Sequence, residues 1–489
     1  MALGARQNSS VLFKEGTVIS FDDATETVSV LRNASVLVTG DRIAAIFGNN
    51  TAVAIPENTE VIPAEGKIIS PGFVDTHRHS WQTALKTLGS NVSLAEYLFR
   101  FGEFSQAGSV FTPSDVYLGQ LAGLYEALDS GVTTILDHAH HTWSEQTSWA
   151  GLNASIDSGA RIFWCYAIHP LNNGFTFDDQ VNVFRQISDD DTWKGSNVEI
   201  GLAYDYFGSG NISEIESVIK LAREANVSAV TSHYIGGPFS FLSGPVAVNN
   251  YGFLNTSIPI VFSHASYLSV EDAELLRSTN QYVSINSESE MHYGHDHRWS
   301  HLIQDQAALG VDTHFTYSSD IVGKARMWLQ ETRLQQYRYA QDNWEIARNS
   351  PMSVNEAFLL ATRAGGLALR RSDIGVLRVG AKADIVVFDG ETPNMLGWFD
   401  PVAAIILHSH VSDIRHVMVN GQFKKRDGQL VNSAWPKIKK QFLASAKRIQ
   451  NIWLNTPPTP LIGSYPYSSG ILYDNAPTED VIRGQGTGY

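Results

Sequence analysis

The chain has 489 residues, of which 43% are hydrophobic, and carries a formal net charge of -15. That hydrophobic fraction suffices for a large buried core, whereas the acidic surplus argues against nucleic acid or an anionic membrane surface as a partner. No apolar run approaches the roughly 20 residues that a membrane-spanning helix needs, and the single cysteine, Cys165, excludes an internal disulfide and a cysteine metal cage.

Both ends of the chain show the pattern of a small β domain. Residues 9–66 contain short alternating apolar runs separated by polar turns, which is typical of antiparallel strands. Similar runs return after residue 372, where the dipeptide Asn420-Gly421 favours a tight hairpin turn. We therefore expect residues 1–66 and 373–433 to form one small flanking β-sandwich, followed over residues 434–489 by a helix and a tail.

Between residues 67 and 372 the pattern changes to strands that alternate with helices. Capping-box sequences beginning at Thr112 and Ser269 mark two of the helix starts. The eight strands that we predict end at or near His79, His138, Ile168, Ala203, His233, His264, Asn286 and Asp320. Eight such units indicate the α/β fold class with a parallel (β/α)8 TIM-type barrel.

Metal-ligand residue types stand at the ends of several predicted strands. His77 and His79 point to the same side of strand one because side chains alternate along a strand. His233, His264 and Asp320 end strands five, six and eight, and the carboxyl ends of barrel strands form one rim. A lone strand-end histidine is more often a hydrogen-bonded residue than a ligand, and Asp320 could simply cap a helix. Five such residues, all at strand ends, favour a metal site.

Residues 70–79 resemble the metal-binding signature of the amidohydrolase superfamily. The resemblance extends over nearly the whole chain, through residues 131–134, the strand-end residues His233, His264 and Asp320, and residues 375–387. It is strongest for the branch that holds cytosine and guanine deaminases and triazine hydrolases. The resemblance implies one divalent metal, zinc with iron as the alternative, bound by His77, His79, His233 and Asp320. Asp320 would also act as general base, and His264 would orient or polarise the water and the substrate.

Two departures from the superfamily pattern shape this expectation. Two-metal members bridge their ions with a carboxylated lysine at the end of strand four, but here that strand runs into Tyr204-Asp205, which favours a single metal. Many deaminases of this branch carry a glutamate three residues after the strand-five histidine, where this chain has Gly236. Glu290 and His292, which follow strand seven, are the candidate catalytic replacements; a solvated loop is the alternative reading of that segment.

The expected function is a mononuclear metal-dependent hydrolase that uses a metal-activated water on a carbon–nitrogen bond of a small cyclic or heteroaromatic substrate. An aminohydrolase, or deaminase, is the preferred reaction. Amide or lactam hydrolysis, dehalogenation and decarboxylation remain alternatives on the same site, and a non-catalytic barrel is the third. Substrate contacts are expected from residues near the rim, namely Trp81, Gln82, His138, His169 and His264. Core packing is the alternative for Trp81.

Partners and location are predicted more coarsely. The resemblance implies a homo-oligomer, a dimer or a tetramer, with a small-molecule substrate and no nucleic-acid or membrane partner. No signal peptide is recognisable in the first fifteen residues, so we expect a cytoplasmic protein. Eight N-glycosylation sequons leave secretion open; they begin at Asn8, Asn33, Asn49, Asn91, Asn153, Asn211, Asn226 and Asn255.

Overall fold

The N-terminal segment forms the short strands that its alternating pattern predicts. The computed structural model describes residues 10–48, 51–468, 470–479 and 481. Its first strands are β1 (Ser10–Asp22), β2 (Thr27–Thr39), β3 (Arg42–Gly48), β4 (Glu60–Pro63) and β5 (Lys67–Pro71). β1 pairs antiparallel with β2 and parallel with β4 and β5.

The part of the chain that the structure describes then forms eight parallel strands, hydrogen-bonded in sequence order. They are β6 (Phe73–Arg78), β7 (Val132–Ala139), β8 (Arg161–Ala167), β9 (Val198–Ala203), β10 (Val230–Tyr234), β11 (Ile260–His264), β12 (Tyr282–Ile285) and β13 (Ala307–Leu309). The last strand returns to the first just beyond β13, where the backbone N–H groups of Val311 and Asp312 both donate to the carbonyl of His77, at 3.1 and 2.8 Å. This nearly closed barrel confirms the predicted fold class.

The C-terminal strands complete the small sheet beside the barrel. They are β14 (Ile385–Asp389), β15 (Ile414–Val419), β16 (Gln422–Arg426) and β17 (Gln429–Leu430). β14 pairs antiparallel with β5, so that among the described residues the two ends of the chain share one nine-stranded mixed sheet. The chain passes from this sheet into the barrel at Gly72, where an added Cβ would lie 2.1 Å from the Thr133 hydroxyl oxygen. Only glycine fits so close an approach.

Helices cover the outside of the barrel and extend beyond it. They are α1 (Leu94–Arg100), α2 (Ala107–Val110), α3 (Pro113–Asp129), α4 (Glu145–Ser158), α5 (Phe177–Asp189), α6 (Ile212–Glu224), α7 (Pro245–Asn250), α8 (Val270–Thr279), α9 (Ser287–Tyr293), α10 (Ile321–Asp342), α11 (Val354–Leu360), α12 (Arg363–Ala368), α13 (Pro401–Ala403) and α14 (Trp435–Asn455). The predicted capping boxes at Thr112 and Ser269 are present. A shorter 3₁₀ turn over Ser80–Leu85 directly follows the two histidines of β6.

A buried ion pair joins the barrel to the small sheet. The guanidinium of Arg161, the first residue of β8, donates to both carboxylate oxygens of Asp384 at 3.0 to 3.2 Å. Asp384 also accepts the backbone N–H of Asn420 at 2.8 Å. Arg161 and Asp384 are 4% and 2% exposed. Because Arg161 begins β8, the buried pair lies at the amino-terminal end of the barrel strands.

Several coarse predictions concern the surface and the chain ends. Among the described residues, no helix is both long and apolar enough to cross a membrane. Asn8 and Asn49 lie outside the described residues, and the other six sequon asparagines are exposed. The domain boundaries, the oligomeric state and the cytoplasmic location stay predictions.

Candidate metal centre and catalytic cavity

Three histidines and one aspartate converge at the carboxyl-end rim of the barrel. His77 and His79 come from the end of β6, and their Nε2 atoms lie 3.3 and 3.2 Å from Oδ1 of Asp312. His233 comes from β10, and its Nε2 lies 3.3 Å from Nε2 of His79. Parallel strands present their carboxyl ends to one rim, which is how residues so distant in sequence meet.

The outward-facing nitrogen of each of these imidazoles is held by an oxygen atom. Nδ1 of His79 lies 2.9 Å from the carbonyl oxygen of His138, and Nδ1 of His233 lies 2.7 Å from Oδ2 of Asp205. Nδ1 of His77 lies 2.8 Å from the hydroxyl of Ser263. A carbonyl or carboxylate oxygen can only accept, so it fixes the proton on Nδ1 and leaves a lone pair on Nε2 of a neutral ring. Metal-binding histidines are oriented in this way.

The inward-facing nitrogens fit a cation. The Nε2 atoms of His79 and His233 face each other at 3.3 Å, and Nε2 of His77 is buried without a hydrogen bond. A proton could satisfy one facing pair, whereas a cation among the four side chains satisfies all of them and the carboxylate of Asp312. The donor set of three imidazoles and one carboxylate is one that zinc accepts.

Electrostatics keep His77 and Asp312 in the forms that bind a metal. Burial lowers the pKa of His77 to about 3, so its ring is neutral. Burial alone would raise the pKa of Asp312, but the adjacent imidazoles of His77 and His79 hold it well below its usual range. Asp312 is therefore ionised. Burial likewise lowers the pKa of His233, but the Asp205 carboxylate outweighs it and raises the pKa overall.

The prediction of Asp320 as metal ligand and general base is wrong in this geometry, and Asp312 occupies that position. We expected strand eight to end at Asp320, but the strand is β13 (Ala307–Leu309), which ends three residues before Asp312. Asp320 instead lies at the N-cap of α10, where its Oδ1 accepts the backbone N–H of Val322 at 3.1 Å. Helix capping, the alternative considered for Asp320, is what the structure shows.

His264 lies beside the candidate ligands and is tied to Glu290. Its ring centroid is 5.4 Å from that of His77, and its Nδ1 lies 3.1 Å from Oε1 of Glu290 on α9. Both His264 and the next residue, Ala265, have positive φ angles of 76° and 54°, a conformation that costs energy in non-glycine residues and is found at functional sites. Burial raises the pKa of Glu290 well above its usual value and lowers that of His264 well below it. The pair is therefore uncharged.

His292, the other candidate for the missing glutamate, points away from the centre. It lies two residues after Glu290 in α9, and positions two apart fall on opposite sides of a helix. Its ring packs 4.8 Å from that of Tyr293 and 6.2 Å from that of Tyr317. Because Ser287–Tyr293 form a helix, this segment is not the solvated loop that was considered as an alternative from the sequence.

A cavity opens onto the candidate metal centre. Its walls combine acidic, imidazole and aromatic side chains, which include Tyr97, Glu103, Phe104, His140, Phe241, His295 and Tyr467. Trp81 and Gln82 lie behind this wall rather than in it, contrary to their predicted role as substrate contacts. The indole N–H of Trp81 donates to Nδ1 of His140 at 3.0 Å, and the Gln82 amide donates to the carbonyl of Phe101 at 3.1 Å. Core packing, the alternative for Trp81, is correct.

His138 and His169, also predicted as substrate contacts, support residues of the cavity. The carbonyl of His138 orients His79, and the ring centroid of His138 lies 4.3 Å from that of His233. Nδ1 of His169 lies 2.5 Å from Oε2 of Glu103. Each therefore contacts a residue that lines the cavity and does not line the cavity itself.

Four residues of the site were missed or underrated from sequence. Asp312 and Glu103 were not considered, because the first follows a strand of three residues and the second lies in a loop with no recognisable motif. Asp205 was noted only as part of a segment without lysine, and His140 was not named among the expected substrate contacts. An aspartate directly after each short apolar run is the signal that would have identified Asp205 and Asp312.

Comparisons with known proteins show similarity over most of the chain. The family model described as "Amidohydrolase family" matches residues 68–424. A 5-methylthioadenosine/S-adenosylhomocysteine deaminase from Acetivibrio thermocellus is 22% identical over 90% of this chain and 99% of its own. The solved atrazine chlorohydrolase of Arthrobacter aurescens TC1, complexed with zinc, superposes with a TM-score of 0.76 at 19% identity, covering 89% of this chain and 100% of the other. An adenosine deaminase from Xanthomonas campestris with bound zinc gives a TM-score of 0.75 at 18% identity, covering 91% and 99%.

Proposed function

Because the chain belongs to the amidohydrolase family, as its sequence predicted, we propose that it is a mononuclear metal-dependent aminohydrolase that releases ammonia from a small nitrogen heterocycle. The family also confirms the predicted enzyme class, a hydrolase acting on carbon–nitrogen bonds other than peptide bonds. The observation that carries the proposal is a cluster of facing ligand atoms. Nε2 of His77 and Nε2 of His79 lie 3.3 and 3.2 Å from Oδ1 of Asp312, and Nε2 of His233 lies 3.3 Å from Nε2 of His79.

His77, His79, His233 and Asp312 would hold one divalent ion in this proposal. Zinc is preferred over iron because the donor set suits it and because two of the similar structures contain zinc. Three imidazoles and a carboxylate leave a coordination position for water, and a bound zinc ion lowers the pKa of that water from 15.7 toward about 7.

The protein's own groups then move the protons. Asp312 faces the ligand nitrogens with Oδ1, while the hydroxyl of Ser289 donates to its Oδ2 and fixes the carboxylate. An ionised carboxylate at this place can take a proton from the water and return it to the leaving amino group. Glu290 holds Nδ1 of His264, so that the ring keeps one orientation toward water and substrate. Glu290 is thus proposed as a positioning residue and His264 as the group that contacts the reacting atoms.

The cavity supports a planar heteroaromatic substrate. Aromatic walls from Tyr97, Phe104 and Phe241 offer apolar faces to a ring. Glu103 is the cavity carboxylate that is engaged neither by the ligand histidines nor by His264. Its Oε2 lies against Nδ1 of His169, and its Oε1 can accept a hydrogen bond from a ring or amino N–H. Together with the deaminase names among the relatives, these features favour an aminopurine nucleoside as the first substrate class to test.

A second candidate is displacement of another leaving group on the same ring type. It is favoured by Gly236, which leaves no carboxylate where many deaminases of this branch carry one, and by the similarity to an atrazine chlorohydrolase. Ammonia release against halide release from amino- and chloro-substituted heterocycles separates the two candidates.

The decisive experiment compares Asp312→Asn with Asp320→Asn. Metal content is measured by elemental analysis, and ammonia release is measured with adenosine, 5'-deoxyadenosine and 5-methylthioadenosine. We expect about one divalent ion per chain in the wild type, and a loss of at least about 10³-fold in kcat for Asp312→Asn, because the carboxylate both binds the ion and carries the proton.

Asp320→Asn is the matched control. Asparagine caps helices as well as aspartate does, so this variant should keep its metal and its activity within about threefold. Loss of activity in Asp320→Asn with Asp312→Asn unaffected would overturn the assignment of the carboxylate. A wild-type protein with no bound divalent ion would overturn the metal-dependent proposal.

A further inference from the structure

The C-terminal segment beyond α14 folds into a small hairpin outside the part of the chain that the family model matches. The backbone N–H of Tyr465 donates to the carbonyl of Ile471 at 2.7 Å, and that of Tyr473 donates to the carbonyl of Gly463 at 3.1 Å. Ser464 and Leu472 form an antiparallel bridge between its two arms. The family match ends at residue 424, so this hairpin is an addition to the matched region.

The helix that precedes the hairpin, α14, is attached to the barrel. The indole N–H of Trp453 donates to the carbonyl of Arg100 at 2.8 Å, and the Gln450 amide donates to the carbonyl of Ala84 in the turn that follows the two histidines of β6. The hydroxyl of Ser445 also donates to Asp115, the capping-box residue of α3. These bonds attach α14 to the catalytic side of the barrel through three separate elements.

The hairpin places one aromatic side chain in the wall of the catalytic cavity. Tyr467 lines the cavity together with Phe241, and the two rings stack with centroids 5.9 Å apart at an interplanar angle of 27°. Phe99 lies 6.2 Å away on another side of Tyr467. Tyr465 anchors the hairpin, because it is buried and its hydroxyl donates to the carbonyl of Phe239 at 3.4 Å. Tyr467 is thus held between aromatic neighbours and still faces the cavity.

We propose that Tyr467 is a specificity-determining residue, by which the C-terminal hairpin closes the catalytic cavity over a planar ring substrate. Stacked rings in a desolvated cavity attract a further aromatic ring, and Phe241 and Tyr467 form such a wall in the cavity that His79, His233 and His264 also line. A second cavity lies outside, lined by Phe239, Tyr465 and Tyr473. Tyr473 belongs to the same hairpin but lines that outer cavity and not the catalytic one. Replacing Tyr473 therefore controls for structural effects of a mutation in the hairpin. The inference rests on the proposed function for its substrate class.

The first test is kinetic and uses the full-length, metal-loaded enzyme. Tyr467→Ala, Tyr467→Phe and Tyr473→Ala are compared by kcat and KM for adenosine and 5-methylthioadenosine. Loss of the aromatic face should raise KM about tenfold in Tyr467→Ala, with kcat changed less than about threefold, because base–aromatic stacking contributes to binding of the ring. Tyr467→Phe keeps the face and should stay within about threefold. Tyr473→Ala should stay within about twofold.

An unchanged KM in Tyr467→Ala would overturn the proposal, as would an equal rise in Tyr473→Ala, which would indicate only a structural effect of the hairpin.

The second test does not depend on turnover. Carbethoxylation of His295, which lines the catalytic cavity, is followed by mass spectrometry, with the exposed His408 as internal standard. Removal of the closing side chain should accelerate modification of His295 at least about threefold in Tyr467→Ala and leave it unchanged in Tyr473→Ala. Equal rates in all three proteins would show that the hairpin does not close the cavity. Faster modification in an enzyme that deaminates no probe would refute the proposed function and leave the closure intact.

Discussion

At the scale of single residues, the hydrogen bond from Trp81 determines the tautomer of its neighbour His140. An indole N–H can only donate, so Nδ1 of His140 must accept and its proton must reside on Nε2. His140 stacks on His79 with ring centroids 3.9 Å apart and lines the cavity. Trp81 therefore fixes a neutral imidazole in one tautomer beside the candidate metal centre, a role that no sequence pattern indicates.

Replacement of Trp81 by phenylalanine tests this role. We expect the free energy of unfolding to fall by roughly 2–4 kcal/mol, because a buried acceptor loses its donor and the smaller ring leaves a void. KM for a planar substrate should stay within about threefold, because Trp81 does not line the cavity. Urea unfolding and steady-state kinetics check both. A tenfold rise in KM at unchanged stability would instead indicate direct stacking on the substrate.

At the scale of elements, long periodic segments were predictable and short ones were not. The histidine pair of β6, the strand ends at His233 and His264 and the capping boxes of α3 and α8 were identified from residue type and spacing. β13 has three residues and gives no periodicity, whereas residues 313–320 mimic a strand. The candidate ligand aspartate consequently lies at position 312, eight positions before the predicted Asp320.

A buried histidine in β15 also predicts how the stability of the folded state depends on pH. His416 in β15 is buried, and burial lowers its pKa from 6.5 to about 4. The unfolded chain therefore binds a proton more readily between about pH 6.5 and pH 4, so the folded state loses stability as the pH falls through this window. Relative to His416→Gln, the wild type should lose about 2 kcal/mol more between pH 7 and pH 4.5.

Denaturant unfolding at the two pH values measures this difference. His408→Gln, at an exposed position, should behave like the wild type. Parallel pH profiles for the wild type and His416→Gln would contradict the prediction.

At the scale of the whole molecule, a buried ion pair and the candidate metal ligands lie at opposite ends of the barrel strands. The Arg161–Asp384 pair joins the barrel to the small sheet at the amino-terminal end, and the candidate ligands lie at the other. Asp384→Ala leaves a buried guanidinium without its partner, which should cost about 3–5 kcal/mol. The kcat of the folded fraction should stay within about twofold.

Urea midpoints and kcat at low temperature measure the two effects of Asp384→Ala separately. The double variant Arg161→Met/Asp384→Leu should regain part of the stability, because no unpaired charge remains. A loss of kcat as large as the loss of stability would show that the two ends are coupled.

The pairing of β5 with β14 also affects synthesis on the ribosome. β5 leaves the ribosome before the barrel, and its partner strand leaves after it. At about 5–20 residues per second, the amino-terminal strands wait roughly 15–60 s with one edge unpaired. Nascent chains are therefore most exposed to edge-to-edge aggregation during that interval, and slower translation of the barrel would lengthen it.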